Sequence, residues 1–284
     1  MKKSGTIIFL IILVTVSLFS CTEPIDINLD SSTIRLVVEG SLTTDTISHK
    51  VKLSKTSSYF FNQAPEPVEG ATVFISDGEN IIDLSEVSPG IYQTDPSVYG
   101  MEGKTYTLNI KLNSQIGGNS EYIASSKLYP VAKLDSISLL YHPDWSSQGF
   151  WELKCYVQDP PSTDFYRFFI SRNDIMITDT LDEWFVTDDR FFNGYYVNGA
   201  AVGFFDQSVQ EEKLNQGDTI LLEMNNLGED YANFIWESQS ELVGSYPLFS
   251  GPPANVKGNI SNGAIGFFAA YACSRAYTVT PGPN

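Results

Sequence analysis

The sequence predicts a mainly β protein: a β-sandwich followed by a second β-rich domain that carries one amphipathic helix. Three observations predict it. The chain holds 15 Tyr and 18 Phe in 284 residues, and aromatic and β-branched residues fit a pleated, half-buried surface. Apolar residues recur with period two in short runs, which is the periodicity of strands. Gly, Pro and Asn-Gly or Asp-Gly pairs separate those runs at short intervals, as the turns of a sandwich require.

The first segment stands outside that pattern. Lys2 and Lys3 precede an apolar run from Gly5 to Phe19, and Leu18-Phe19-Ser20-Cys21 sets a small residue before a cysteine. A positive start, a short apolar stretch and such an ending describe a secretory signal that closes on a lipoprotein cleavage site. The run is short for a membrane span, which needs about 20 residues. The logic is local: a peptidase needs a small side chain at Ser20, and the Cys21 thiol accepts diacylglycerol. Each buried CH₂ of the attached chains contributes about 0.8 kcal/mol of membrane binding. The expectation is therefore a signal peptide over 1–20, lipid on Cys21, and a polar tether over 21–32 with Glu23 and Asp26 close behind the anchor.

The first domain is expected over 33–130. Ile34–Gly40 is rich in β-branched residues, and Lys50–Lys55 alternates polar and apolar side chains. That alternation places His49 at an exposed position in an alternating strand. A Pro-Glu-Pro loop with Tyr59, Phe60 and Phe61 interrupts, and Val68–Gly78 resumes as a strand ending in an Asp-Gly turn. Gly90–Tyr92, Gly103–Ile110 and Tyr122–Leu128 follow. The order V-E-G-A-T-V, P-G-I-Y, G-K-T-Y-T-L resembles the small immunoglobulin-like modules of bacterial surface proteins, and fibronectin-type and carboxypeptidase-regulatory-like domains. The implied fold is an immunoglobulin/fibronectin-like β-sandwich.

The second domain is expected over 131–284. Its strand-like runs are Lys133–Leu139, Phe150–Val157, Phe165–Ser171, Ile175–Thr178, Phe204–Phe205, Thr219–Glu223 and Phe267–Ser274. A helix near 229–244 opens on Glu229 and Asp230, whose charge suits a helix N-terminus. Tyr231, Phe234, Ile235, Ser238 and Leu242 share one face, and Gly244 supplies a stop. The expected role of that helix is packing.

Charge and motifs exclude several classes. The formal net charge is −17, and once Lys2 and Lys3 leave with the signal 15 basic residues face 34 acidic ones. Such a chain repels nucleic acid and anionic lipid. It has only His49 and His142, no nucleophile elbow, no HExxH, no paired CxxC and no phosphate-cradling glycine loop. The expectation is a non-enzyme without cofactor or metal. Asp174, Asp179, Asp182, Glu183, Asp188 and Asp189 crowd one segment without the spacing of a calcium loop, and are read as a solvated acidic face.

Two features are left as candidates. Residues 190–205 carry Phe191, Phe192, Tyr195, Tyr196, Phe204 and Phe205 around two Asn-Gly pairs. Exposed aromatics on β-loops grip sugars, peptides or partner proteins; the same residues in a hairpin would fill a core. Cys155 and Cys273 lie in strands of an exported chain, where a disulfide persists; the other reading is two separate buried thiols. In addition, Asp45-Thr46-Ile47, Asp135-Ser136-Ile137, Asp179-Thr180-Leu181 and Asp218-Thr219-Ile220 resemble the O-glycosylation site of exported Bacteroidota proteins.

Near the C-terminus, Pro252-Pro253-Ala254-Asn255-Val256-Lys257-Gly258-Asn259-Ile260 leads through an Asn262-Gly263 turn into an apolar strand. With the preceding helix and the Glu23-Pro24-Ile25-Asp26-Ile27 start after Cys21, this run resembles a family of Bacteroidota lipoproteins known as domain of unknown function 4249. The resemblance spans about Cys21 to Arg275. It brings no catalytic residues. It implies the outer membrane, an exterior-facing lipid anchor, and a neighbourhood, since members are encoded beside TonB-dependent transporters. The functional expectation is a non-catalytic binding or accessory subunit of such a nutrient transporter; the alternative is a structural or adhesive envelope lipoprotein with no transport role.

Overall fold

The computed structural model describes residues 34–57, 64–242 and 256–282. The signal and tether with Cys21, the Tyr59–Phe61 loop, Gly244 and the stretch 247–255 lie outside the described residues.

Fifteen described strands are present: β1 (Leu36–Thr43), β2 (Lys50–Lys55), β3 (Thr72–Ser76), β4 (Ile81–Ser88), β5 (Ile91–Gln93), β6 (Thr105–Ile116), β7 (Asn119–Lys127), β8 (Leu134–His142), β9 (Phe150–Gln158), β10 (Phe165–Arg172), β11 (Ile175–Met176), β12 (Phe185–Asp188), β13 (Tyr196–Asp206), β14 (Thr219–Leu227) and β15 (Ile265–Val279). A 3₁₀ turn covers Leu181–Glu183, and the helix, α1, runs Glu229–Leu242. The protein is mainly β with a single described α-helix, as the periodicity predicts.

The strands form one large sheet in the order β11-β10-β14-β15-β1-β2-β5-β4-β3-β6-β7, with β12 also on β10, and a smaller sheet β13-β9-β8. β4 turns the large sheet onto itself. Its first residues pair with β3 and its last with β5. This folding encloses the first core, built from alternate positions: Leu36, Val38 and Leu42 of β1, Tyr106, Leu108, Ile110 and Leu112 of β6, and Tyr122 and Ala124 of β7. The second core lies between the large sheet and the smaller one. Trp151, Leu153, Cys155 and Val157 of β9 meet Tyr166, Phe168 and Ile170 of β10 and Ile220, Leu222 and Met224 of β14.

Residues on both sides of position 130 contribute to the first core, and the described residues pack as one compact unit. β15 is the reason. Ile265–Tyr271 pairs in parallel with β1, and Ala272–Val279 pairs antiparallel with β14. Phe268, Ala270 and Ala272 enter the first core, and Ala276 packs on the second. Gly266 permits the crossing. Its φ is +99°, and a Cβ there would lie 2.0 Å from the Val38 carbonyl oxygen.

The described part of the C-terminal run closes the free edge of β7. The Ser261 amide donates to the Ile123 carbonyl at 2.8 Å, and its Oγ accepts from the Ile123 amide at 2.8 Å. Asn259 reaches both ways: its Nδ2 donates to the Ser125 and Phe268 carbonyls, and its Oδ1 accepts from the Phe268 amide. Asn262 and Gly263 both take positive φ, 59° and 73°, the requirement of a type I′ turn.

α1 lies on the face of the large sheet opposite the smaller sheet. Ala232 and Ile235 are fully buried there with Leu227 and Val186. Gln239 Nε2 donates to the Leu181 and Trp184 carbonyls at 2.8 Å each, tying the helix to the 3₁₀ turn. Leu242, expected on the buried stripe, is exposed.

Candidate functional site

The six expected aromatics do not make one surface. Phe191, Tyr195 and Tyr196 are exposed, Phe191 at 91% and Tyr195 at 73%, around the turn where Gly194 takes φ 78°. Phe192 packs against the second core and stacks on Tyr166, and Phe205 is buried in it. Phe204 is half-exposed at the far end of β13, about 25 Å from Tyr196 at strand rise. The expected second Asn-Gly turn is instead a β-bulge inside β13, where the register slips between Asn198 and Ala200; the bulge keeps the strand on β9 rather than reversing it.

Phe204 belongs to a different aromatic row that sequence reasoning missed. It meets Phe150 at 6.0 Å between centroids, Phe150 meets Trp145 at 5.9 Å, and Trp145 stacks on His142 at 3.6 Å. The row lies on the outer face of the smaller sheet. His142 Nε2 is also 2.8 Å from Glu152 Oε2. Phe150 and His142 are register partners on adjacent strands, and cross-strand register is invisible in one sequence.

The two thiols are free, the second of the two readings. Alternation along β15 puts Cys273 with Tyr271 and Arg275 on one face of the large sheet, while Cys155 points into the second core behind the other face. Burial pushes the Cys155 thiol up to about 11 and the Cys273 thiol up to about 12. Cys273 Sγ accepts from Asn225 Nδ2 at 3.3 Å. Both are packing residues. Beside Cys273, Arg275 clamps Asp45 and Glu223: Nη1 reaches Asp45 Oδ1 at 2.8 Å and Nε reaches Glu223 Oε2 at 2.7 Å. The clamp holds the Asp45 carboxyl below its ordinary range.

His49 is buried, against the expectation of an exposed position in an alternating strand. Its Nδ1 accepts from the Thr43 amide at 3.3 Å and its Nε2 faces the Val98 carbonyl at 3.2 Å, so the proton is assigned to Nε2. Burial lowers its pKa and keeps it neutral, a structural role.

The acidic segment also divides. Asp174, Asp179, Asp182 and Glu183 face solvent, and Asp188 is paired by Arg190. Asp189 is buried instead, with Asp159 and Asp164, and oxygens of the three lie within 4.8 Å of one another. These are the described carboxylates with the donor chemistry for a hard cation. Strand side chains and a backbone amide already engage them. Tyr166 Oη donates to Asp159 at 2.7 Å, Asn226 Nδ2 to Asp164 at 2.6 Å, and the Asp164 amide to Asp189 at 2.9 Å.

A cavity of about 590 Å³ opens between α1 and the large sheet, lined by Arg167, Phe169, Trp184, Tyr231, Phe234 and Phe267 among others. Strand alternation sends Tyr166, Phe168 and Ile170 into the second core and Arg167 and Phe169 to the helix side. Arg167 is 1% exposed. Its guanidinium lies 4.3 Å from the Phe169 ring, 4.6 Å from Tyr271, 4.8 Å from Trp184 and 5.5 Å from Tyr231. Nε and Nη2 donate to Asn225 Oδ1 at 3.2 and 3.0 Å, and Nη1 donates to Tyr231 Oη at 3.2 Å. A second cavity, about 450 Å³, lies under the end of β13 between Phe168, Ile170, Phe204 and Glu212.

A family model described as "Domain of unknown function (DUF4249)" matches residues 22–276. The chain belongs to the DUF4249 family. That span takes in both cores, the helix and the strap at Ser261, so the DUF4249 unit includes the whole described fold up to the clamp at Arg275. No curated protein matches the chain. Among solved structures, the adhesin InvE of Yersinia pseudotuberculosis is matched over 67% of this chain at 14% identity with a TM-score of 0.21; this chain spans 55% of that one. In this DUF4249 chain the Arg167 cavity was not legible from sequence, because an arginine between apolar residues of a strand reads as a solvent-facing position.

Proposed function

We propose that the chain is a lipid-anchored outer-membrane protein, facing the exterior through acylated Cys21, that serves as a non-catalytic binding subunit of a TonB-dependent nutrient transporter. The Leu18–Cys21 ending and the family resemblance support the location. The observation that carries the binding role is the exposure of Phe191, Tyr195 and Tyr196 around the Gly194 turn. Tyr-rich exposed aromatic clusters anchor protein interfaces, where single anchors contribute about 2 kcal/mol or more. The turn beneath them is held firmly: Gly194 donates its amide to Asp159 Oδ2 at 3.0 Å and to the Pro160 carbonyl at 3.2 Å. A rigid support lowers the ordering cost of association.

The test is affinity capture from native membranes with wild type and with Phe191→Ser/Tyr195→Ser. The wild type is expected to bring down a TonB-dependent transporter. The variant should lose at least about tenfold of it, the equivalent of about 1.4 kcal/mol, with unchanged melting temperature. A deletion strain should grow poorly on some peptides or glycans and normally on others. Capture of no transporter by the wild type, with uniform growth, would leave a structural or adhesive envelope role in its place. Cys21→Ser should move the protein out of the membrane fraction.

A further inference from the structure

Arg167 is a buried cation in search of an anion. Taking a guanidinium out of water carries a penalty of several kcal/mol that good geometry and partners must offset. Its hydrogen-bond partners are the Asn225 amide oxygen and the Tyr231 phenol, and neither is a carboxylate. No aspartate or glutamate among the described residues forms an ion pair with it. Glu223 comes near only through Asn225, whose Nδ2 it accepts at 2.9 Å, and Glu223 is taken by Arg275.

A second, independent observation lies on the same cavity wall. The indole Nε1 of Trp184 is buried and has no acceptor among the described residues. Buried donors are nearly always paired, and leaving one unmet costs about 1–3 kcal/mol. Trp236, by contrast, on the other side of the helix, meets the Val186 carbonyl at 3.3 Å. The cavity also has a basic rim. Lys50 and Lys52 of β2 line it together with Glu39; Lys52 is paired with Glu39 at 2.9 Å, while Lys50 has no ion pair among the described residues. In a chain of formal charge −17, this is a local reversal of sign.

We propose that the cavity between α1 and the large sheet binds a small organic carboxylate with an apolar body. The carboxylate lies toward the electropositive end of the cavity, nearest Arg167 and Lys50, and the apolar body packs on Phe234 and Phe267. About 590 Å³ falls within the roughly 300–1,000 Å³ of small-molecule pockets. One buried cation among aromatic walls suits a monoanion with apolar surface. A phosphate dianion would need more donors than the walls supply. This site is on the helix side of the large sheet, apart from the Phe191–Tyr196 surface, and it does not depend on the transporter reading.

The experiment is calorimetric titration of the mature chain, without transporter, using benzoate, 3-phenylpropionate and octanoate. The neutral 3-phenylpropanamide and inorganic phosphate serve as controls. At least one acid is expected to bind saturably, the amide to bind at least about tenfold more weakly than 3-phenylpropionate, a difference of about 1.4 kcal/mol, and phosphate not to compete. Trp184→Phe should weaken the acid about fivefold or more, and Lys50→Gln about two- to threefold with an unchanged melting temperature. Arg167→Gln removes a buried group that organises α1, so the acid–amide comparison on unmodified protein carries the test of charge recognition. Absence of saturable binding by all three acids up to about 10 mM overturns the proposal. So does equal binding of acid and amide, or affinity unchanged in both Trp184→Phe and Lys50→Gln. Each of these results leaves transporter capture by the Phe191 surface untouched.

Discussion

Asp159 and Asp189 are each 1% exposed beside Asp164, and among the described residues none of the three pairs with a lysine or arginine. Burial, reinforced by the neighbouring carboxylates, holds the carboxyls of Asp159 and Asp189 above their ordinary range. A carboxyl with a raised folded pKa binds its proton more readily folded than unfolded. It therefore adds stability as pH falls through that raised value toward the unfolded value of about 3.9. Asp159→Asn fixes the neutral form and cannot make this gain. The stability of Asp159→Asn minus that of wild type should thus fall steadily from pH 7 to pH 4. Urea unfolding at each pH reads it, and a pH-independent difference would reject the account. Asp45, depressed by Arg275, acts in the opposite sense but cancels in the comparison. At this scale the sequence was a poor guide. It marked Asp189 as one acid of a solvated run, and only the fold of the Asp159–Asp164 loop against the Gly194 turn brings three distant carboxylates together.

α1 shows how far an element can be read without its context. Its span, its acidic first turn and its amphipathic stripe were legible from the 3.6-residue spacing of Tyr231, Phe234, Ile235 and Ser238. What the stripe touches was not. Ala232 and Ile235 seat the helix, whereas Tyr231 and Phe234 wall the cavity of Arg167. Ile235→Ala should lower stability by about 2–5 kcal/mol, the range for emptying a fully buried aliphatic site, measured by chemical denaturation. A loss below about 1 kcal/mol would mean the helix is not seated as described. β4 and β13 are the elements the sequence left faint. β4 buries only Leu84 of its eight residues, so its period-two signal is weak. β13 is broken by two bulges, each of which shifts the alternation by one residue.

For the whole molecule, β15 decides how many cooperative units there are. A boundary near residue 130 predicts two domains that unfold separately, but one strand contributes to both cores and hydrogen-bonds β1 and β14 along its 15 residues. Arg275 adds a clamp from that strand to Asp45 and Glu223. Scanning calorimetry of the mature chain should show a single transition, with calorimetric and van't Hoff enthalpies in agreement. Two resolved transitions would restore the two-domain reading. Parallel pairing of the last strand with the first is a long-range contact, and such closure leaves no trace in local pattern.

The sequence by itself determined that this chain is β-built, roughly where most strands lie, that one amphipathic helix interrupts them, and that an apolar run near the start leads to Ser20-Cys21. Those features follow from local periodicity, turn chemistry and short motifs, which need only neighbouring residues. Tertiary structure alone decided that Cys155 and Cys273 face opposite sides of a sheet, that the six aromatics of 190–205 divide among core, turn and strand end, and that Arg167 lies buried among aromatic rings with no carboxylate counterion among the described residues. Each of these depends on which face of a sheet meets which neighbour, and that is fixed by strand order and register rather than by the residues next to it in the chain.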